Sequence, residues 1–308
     1  KHLGLGHAFF SNSGAEAVEN AMKICYEKRK NRGYGVCFDG AFHGRTLGSL
    51  SLNRSKDVQR AWYRSIPNII ELPFMSEGSD SFFITGRDGK RKSILRDKLE
   101  TTIRKEEVAF IIFEPVQGEG GYRIADREFV KELFNIAKQY KIPIIIDEIQ
   151  SGLGRTGKWW AIDHFKQKPD VLTSAKGLRI AATIASKEMF SKESGRISST
   201  WGEGNFVASA VGHKTIEIIE KNNLLENTRL KGKYLIHELE RLEHKYSFLK
   251  NARGLGLMDA VTVDTTKRRD RIIKEALKRG LLIAGCGIRS IRFLPPLDVK
   301  KRGRLSYG

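Results

Sequence analysis

Three short apolar runs, Ala109–Phe113, Ile142–Ile146 and Val171–Ala175, constrain this chain more than anything else in it. They lack the in–out alternation of a strand with one wet face. They read as strands covered on both sides, the condition of a parallel sheet with helices above and below. Ala15–Lys30 carries Val18, Ala21, Met22 and Cys25 on one helical face, and Asp126–Tyr140 is also amphipathic. Ala8–Ser11, Gly35–Asp39 and Ala181–Ala185 read as further strands. Strands alternating with helices give an α/β fold with a mostly parallel sheet. Residues 76–92 are polar and rich in Gly and Ser, which predicts an irregular surface loop. After Asn205 the texture changes. Val207–Lys221 and Leu225–Tyr246 predict long helices, and strand-like runs at Leu257–Val263 and Ile291–Leu294 belong to two short strand–helix units. A boundary near Gly212 divides the chain into a large domain, residues 1–212, and a smaller C-terminal domain, 213–308, whose basic tail Lys300–Gly308 shows no period.

The apolar runs end in chemistry. Asp147-Glu148-Ile149-Gln150 follows the second, and Lys176 follows the third, 29 positions on (176 − 147). In open α/β sheets ligands collect at the carboxyl ends of strands. A lysine and an acid there suit an aldehyde cofactor with a basic ring nitrogen. The lysine can form a Schiff base, and the acid can keep the ring nitrogen protonated. Asn12–Ala17 adds an anion site: Gly14 permits a tight turn, and the first N–H groups of the helix have no intrahelical partner. Taken alone, that segment is as readily an ordinary serine N-cap at Ser13 with Glu16 in the first turn. Beside Lys176 and Asp147 the phosphate reading is preferred.

Composition removes several other classes. The 308 residues are 40% hydrophobic, enough for a sizeable core. The net charge of +19 invites a nucleic-acid partner, but the basic residues are scattered and no nucleic-acid motif accompanies them. The charge reads instead as a Lys/Arg-rich solvated surface, and it suits anionic substrates. Cys25, Cys37 and Cys286 show no metal-type spacing, and so sparse a set points to a reducing, cytoplasmic setting. No apolar stretch reaches membrane-spanning length.

Nine segments, in order across nearly the whole chain, carry a resemblance. They are Ser11–Ala17, Gly40–Thr46, Glu114–Gly121, Asp147–Gly152, Gly154–Gly157, Ala175–Gly177, Ser199–Gly202, Arg253–Leu257 and Arg292–Leu297. Together the set resembles the class III, fold-type-I aminotransferases that use pyridoxal 5′-phosphate (PLP). The resemblance implies an α/β large domain with a mostly parallel sheet flanked by helices, plus a smaller α+β domain. It also implies residue roles. Lys176 would hold PLP and move the proton, and Asp147 would pair with the ring nitrogen. Phe42 would stack on one ring face, with Ile149 against the other. Gln150 would hydrogen-bond the phenolic oxygen, and Glu114 would join the polar network beside the cofactor. Ser13, Gly14 and Ala15 would hold the phosphate. Thr200 would reach the phosphate of a neighbouring subunit, which implies a homodimer or larger assembly. Arg155 would be structural, and His43 is not required.

Two arginines bear on substrate. Arg45 and Arg292 could each bind a carboxylate as a fork, although an arginine beside Pro-Pro is by itself more often a structural ion pair. In ω-aminotransferases of this family the acid at Glu119 pairs with the arginine at Arg292. The pair masks the arginine while an amine end enters and releases it for a dicarboxylic oxo acid. Both residues are present, which favours an ω-amino donor with 2-oxoglutarate as acceptor. Gly177–Ala182 lacks the proline-containing stretch of most relatives. This compact form is most similar to the L-lysine 6-aminotransferase branch, with the 4-aminobutyrate and ornithine enzymes as close competitors. Twelve residues precede Ser13, where relatives carry a longer segment, so the small domain is expected without its N-terminal part. An amino-acid racemase on the same fold and a truncated, non-catalytic paralogue stand as alternatives.

Overall fold

Along the chain, β1 (His7–Ser11) leads into α1 (Gly14–Lys28), β2 (Tyr34–Phe38), α2 (Leu47–Leu50), β3 (Ile69–Leu72), β4 (Phe83–Thr85), β5 (Arg91–Ser93) and α3 (Ile94–Thr102). Next come β6 (Val108–Phe113), β7 (Val116–Gln117), β8 (Arg123–Ile124), α4 (Arg127–Tyr140), β9 (Ile144–Asp147), β10 (Val171–Ser174) and β11 (Ala181–Ala185). The last elements are α5 (Phe206–Lys221), α6 (Leu224–Lys245), β12 (Leu249–Gly254), β13 (Asp259–Val263), α7 (Thr266–Lys278), β14 (Ala284–Cys286) and β15 (Ser290–Phe293). This computed structural model describes residues 3–300 except 31, 78–82, 87–88, 103–106, 199–200 and 202.

The large sheet has the order β1-β11-β10-β9-β6-β2-β3. Its β10, β9, β6, β2 and β3 pair in parallel, while β11 runs against both of its neighbours. The apolar runs behave as their lack of alternation demands. Ile111, Phe113, Ile144 and Ile146 face α4 and α3 through Phe129, Leu133, Leu95 and Leu99. Phe110, Ile112 and Ile145 face α1 through Val18, Met22, Ile24 and Cys25. Successive side chains on one strand therefore enter opposite cores. Phe38, Phe113 and Phe129 meet edge to face at centroid distances of 5.4 to 6.5 Å, the geometry that aromatic quadrupoles favour.

Local signals set the helix ends. Asp126 caps α4 by accepting from the N–H groups of Glu128 and Phe129. Lys141 closes the helix in the left-handed region, φ 54°, two residues before Pro143. Gly212 lies inside α5, and a Cβ there would come within 2.7 Å of the carbonyl oxygen of Leu178. The missing side chain thus seats α5 against the loop that follows Lys176.

Two expectations need correction. Residues 76–92 are not wholly irregular: β4 and β5 form a hairpin, with Gly86 N donating to Lys90 O and Arg91 stacked on Phe83. The polar composition hid it because only Phe82, Phe83 and Ile84 supply apolar weight. The two strand–helix units are instead one four-stranded antiparallel sheet, β12-β13-β15-β14, with the single helix α7 between β13 and β14. β12 (LKNARG) is polar and half exposed, and β14 has three residues, so neither carried a hydrophobic period. Residues 301–308 of the basic tail lie outside the described residues. Among the described residues no helix is long and apolar enough to cross a membrane.

Buried acids give the fold a pH dependence. Asp259, at the start of β13, is buried with Oδ2 unpartnered among the described residues. Burial pushes it up to about 8, against the pull of Arg155. Burial likewise pushes Glu148 up to about 7, opposed by hydrogen bonds from Ser151 and Ile162. Both hold a proton more tightly when folded than when unfolded. The stability this gives is fully present below the unfolded values near 4 and is lost as pH rises through 7 and 8. The melting temperature is expected to fall between about pH 5 and about pH 8.5, and Asp259→Asn to flatten that fall. Thermal melts across the range check it, and a parent curve that rises would contradict it.

Candidate active site

Asp147 is the last residue of β9, and Lys176 stands two residues past the end of β10. The two strands are parallel neighbours in which Thr173 pairs with Asp147. Residues distant in sequence thereby reach one end of the sheet, where a cavity of about 300 Å³ opens. Its walls include Asp147, Ile149, Gln150 and Lys176 from these strand ends, Gly14 and Ala15 from the start of α1, and Phe42 and Arg45 from the loop after β2. Glu114 and Glu119 complete the acidic side.

Asp147 is held on three sides. Its Oδ1 accepts from Ile149 N at 3.0 Å and Thr173 Oγ1 at 3.2 Å, and its Oδ2 lies 2.8 Å from His43 Nδ1. His43 is 1% exposed, and its Nε2 has no partner among the described residues. No local pattern required His43; 104 positions separate it from Asp147, and only the fold joins them. Glu114 is also buried. It accepts from Phe42 N at 3.0 Å and Gly118 N at 2.8 Å, so it shapes the loop that presents Phe42. Burial pushes Glu114 up to about 7, with His43 pulling it down and Asp147 raising it. Glu148, next to Asp147, serves the neighbouring loop by accepting from Ile162 N and Ser151 Oγ.

At the start of α1 the serine cap is formed, and the glycine turn borders the cavity. Ser13 Oγ caps the helix by accepting from Glu16 N at 3.3 Å, and Glu16 turns back to Asn12 N at 2.7 Å. Gly14 and Ala15 form the cavity wall. A Cβ on Gly14 would come within 2.8 Å of Ile149 Cδ1, so glycine lets the helix terminus approach that residue. Gln150 packs over Gly118, and its Oε1 is buried without a partner among the described residues.

A charged trio stands at the acidic rim. Arg292 Nη1 lies 2.8 Å from Glu119 Oε1, and Lys56 Nζ lies 3.2 Å from Glu119 Oε2. Burial would raise Glu119, but Arg292 and then Lys56 outweigh it and hold the carboxyl below its usual range. Glu119 faces the cavity, whereas Arg292 does not. Arg45 does line it, exposed, with its guanidinium 5.8 Å from the Phe42 ring centre. The family resemblance paired Glu119 with Arg292, and nothing in the sequence pointed to Lys56. Arg155 donates to Leu257 O and Pro295 O, tying the large sheet's loop to the small sheet. Thr200 lies outside the described residues.

The class-III aminotransferase family model matches residues 1–304. The chain belongs to the class-III aminotransferases. It is therefore a PLP-dependent enzyme of fold type I, and members of this family move an amino group between an amino acid and an oxo acid. It is 36% identical over 310 residues to the acetylornithine aminotransferase of Methanocaldococcus jannaschii, covering 97% of this chain and 72% of that protein. It is 32% identical to the L-lysine-epsilon aminotransferase of Mycobacterium tuberculosis, covering 96% and 69%. The solved lysine aminotransferase from M. tuberculosis in the internal aldimine form superposes with a TM-score of 0.85 at 29% identity, over 96% of this chain and 72% of that one. The cavity of this class-III aminotransferase fits the cofactor. Its lining brings together Phe42, Ile149, the acid Asp147, the start of α1 at Gly14 and Ala15, and the amine of Lys176, while the buried Gln150 Oε1 has no partner among the described residues.

Proposed function

We propose that this chain transfers the terminal amine of a basic amino acid, lysine or N-acetylornithine, to 2-oxoglutarate, working as a homodimer. One observation carries the reading: Glu119 stands between the cavity and Arg292. With that arginine masked, the cavity offers one exposed guanidinium, Arg45, which suits a donor whose far end carries a single carboxylate. A dicarboxylic acceptor needs a second cation, and Arg292 is the one held in reserve. The names of the relatives support the same two donors.

When bound, PLP supplies an electrophilic aldehyde and an electron-withdrawing ring. Lys176 Nζ would be the amine that holds that aldehyde and the base that moves the proton from the donor's amine-bearing carbon. Asp147 would hold positive charge at the ring nitrogen, and His43 Nδ1, 2.8 Å from Asp147 Oδ2, would keep that carboxylate in place. Phe42 and Ile149 would flank the ring, Gln150 would hydrogen-bond its phenolic oxygen, and Ser13, Gly14 and Ala15 would hold the phosphate at the positive end of α1. Self-association is supported by Trp62, Tyr63 and Trp201, all exposed, with both tryptophans in left-handed backbone at φ 70°. Three free, buried thiols suit a cytoplasmic setting.

A donor screen on the PLP-loaded protein with 2-oxoglutarate tests this. Glutamate should form from lysine or N-acetylornithine about tenfold faster than from 4-aminobutyrate. Racemised alanine without glutamate would replace the reading with a racemase.

A further inference from the structure

Glu119 carries two cations, one on each oxygen, and only one of them is the arginine already discussed. Lys56 reaches it from the loop after α2, 63 positions away, and does not line the cavity. The trio holds two positive charges against one negative charge. The backbone of Glu119 is fixed, because its carbonyl accepts from Gly287 N at 2.7 Å, so its side chain is the part free to move. If Arg292 turned to a substrate carboxylate with no second cation present, Glu119 would be left half-buried and uncompensated, a costly state. With Lys56 present, the open arrangement has two pairs: substrate with Arg292, and Glu119 with Lys56. The lysine stem has several rotatable bonds and can follow the carboxylate as it withdraws.

We propose that Lys56 is a positioning residue: the standing counter-ion that receives Glu119 when Arg292 is released to the second carboxylate of a dicarboxylic oxo acid. This rests on the function proposed above and adds a residue that sets preference for dicarboxylates over monocarboxylates.

The test uses the PLP-loaded full chain. Lys56→Met is expected to raise the KM for 2-oxoglutarate about fivefold, the size suited to a partly exposed pair, while the KM for pyruvate and for the amino donor moves less than about twofold. Lys56→Arg should restore the parent value. In a Glu119→Gln background Lys56→Met should have no further effect, since Lys56 would have nothing to receive. Titrating glutarate and butyrate calorimetrically gives the same comparison without turnover, and glutarate alone should weaken. Equal changes for both acceptors would overturn the proposal. So would a fivefold effect that persists beside Glu119→Gln, which would mean that Lys56 touches the oxo acid itself. Absence of any amino transfer would count against the proposed reaction, and the glutarate titration would then decide Lys56 on its own.

Discussion

Lys176→Ala is expected to lower amino transfer by about four orders of magnitude, the upper range for losing a positioned proton-transfer group that also anchors the cofactor. Lys176 is the lysine that faces the cavity among the described residues, two residues beyond β10 and beside the end of β9. Lys56 is turned away onto Glu119 and cannot substitute for it. The side chain of Lys176 is exposed, so removing it should leave the unfolding free energy of the cofactor-free protein within about 0.5 kcal/mol of the parent. The combination of lost turnover and retained stability separates a chemical role from a structural one. Loss of the visible absorption of the PLP-loaded protein is the second measurement. Borohydride reduction of the parent, followed by peptide mapping, should place the pyridoxyl group on the peptide carrying Lys176. A label on any other lysine would overturn the assignment.

What could be read from the chain, and what could not, divides along physical lines. The buried runs at Ala109–Phe113 and Ile142–Ile146 were legible because a strand covered on both faces has to be apolar at every position. The start of α1 was legible because capping acts within four residues, and α4 because its apolar residues keep a helical period. Asp147 and Lys176 were legible because the carboxyl end of a buried strand is both a local feature and a place where ligands collect. β12 was not legible, because its backbone pairs with β13 while its side chains stay polar. The same limit applies inside the site. His43 against Asp147 and Lys56 against Glu119 are contacts between separate loops, and no local pattern encodes either. The pair of Glu119 with Arg292 was anticipated only through the family resemblance, since 173 positions lie between them.

Asp147 is where the second large effect should appear. Its carboxylate receives Ile149 N, Thr173 Oγ1 and His43 Nδ1, and it is 4% exposed, so its charge acts in a poorly screened setting. Asp147→Asn keeps the shape and removes the charge. Because the electron-withdrawing power of the ring depends on a positive nitrogen, kcat is expected to fall about 10²- to 10³-fold, the range for deleting one preorganised electrostatic partner. The cofactor should still attach through Lys176, so the visible band survives while turnover does not, the reverse of the Lys176→Ala pattern. A merely structural role predicts something else: a lowered melting temperature with kcat preserved in the folded fraction. Asp147→Ala makes the distinction sharper because it leaves room beside the ring. If the role of Asp147 is to keep that nitrogen positive, a PLP analogue methylated at the ring nitrogen carries the charge permanently and should recover a measurable part of the lost rate. A variant that transfers amino groups within about threefold of the parent, or one that the charged analogue leaves unimproved, would remove Asp147 from the chemistry and leave it as an anchor for His43.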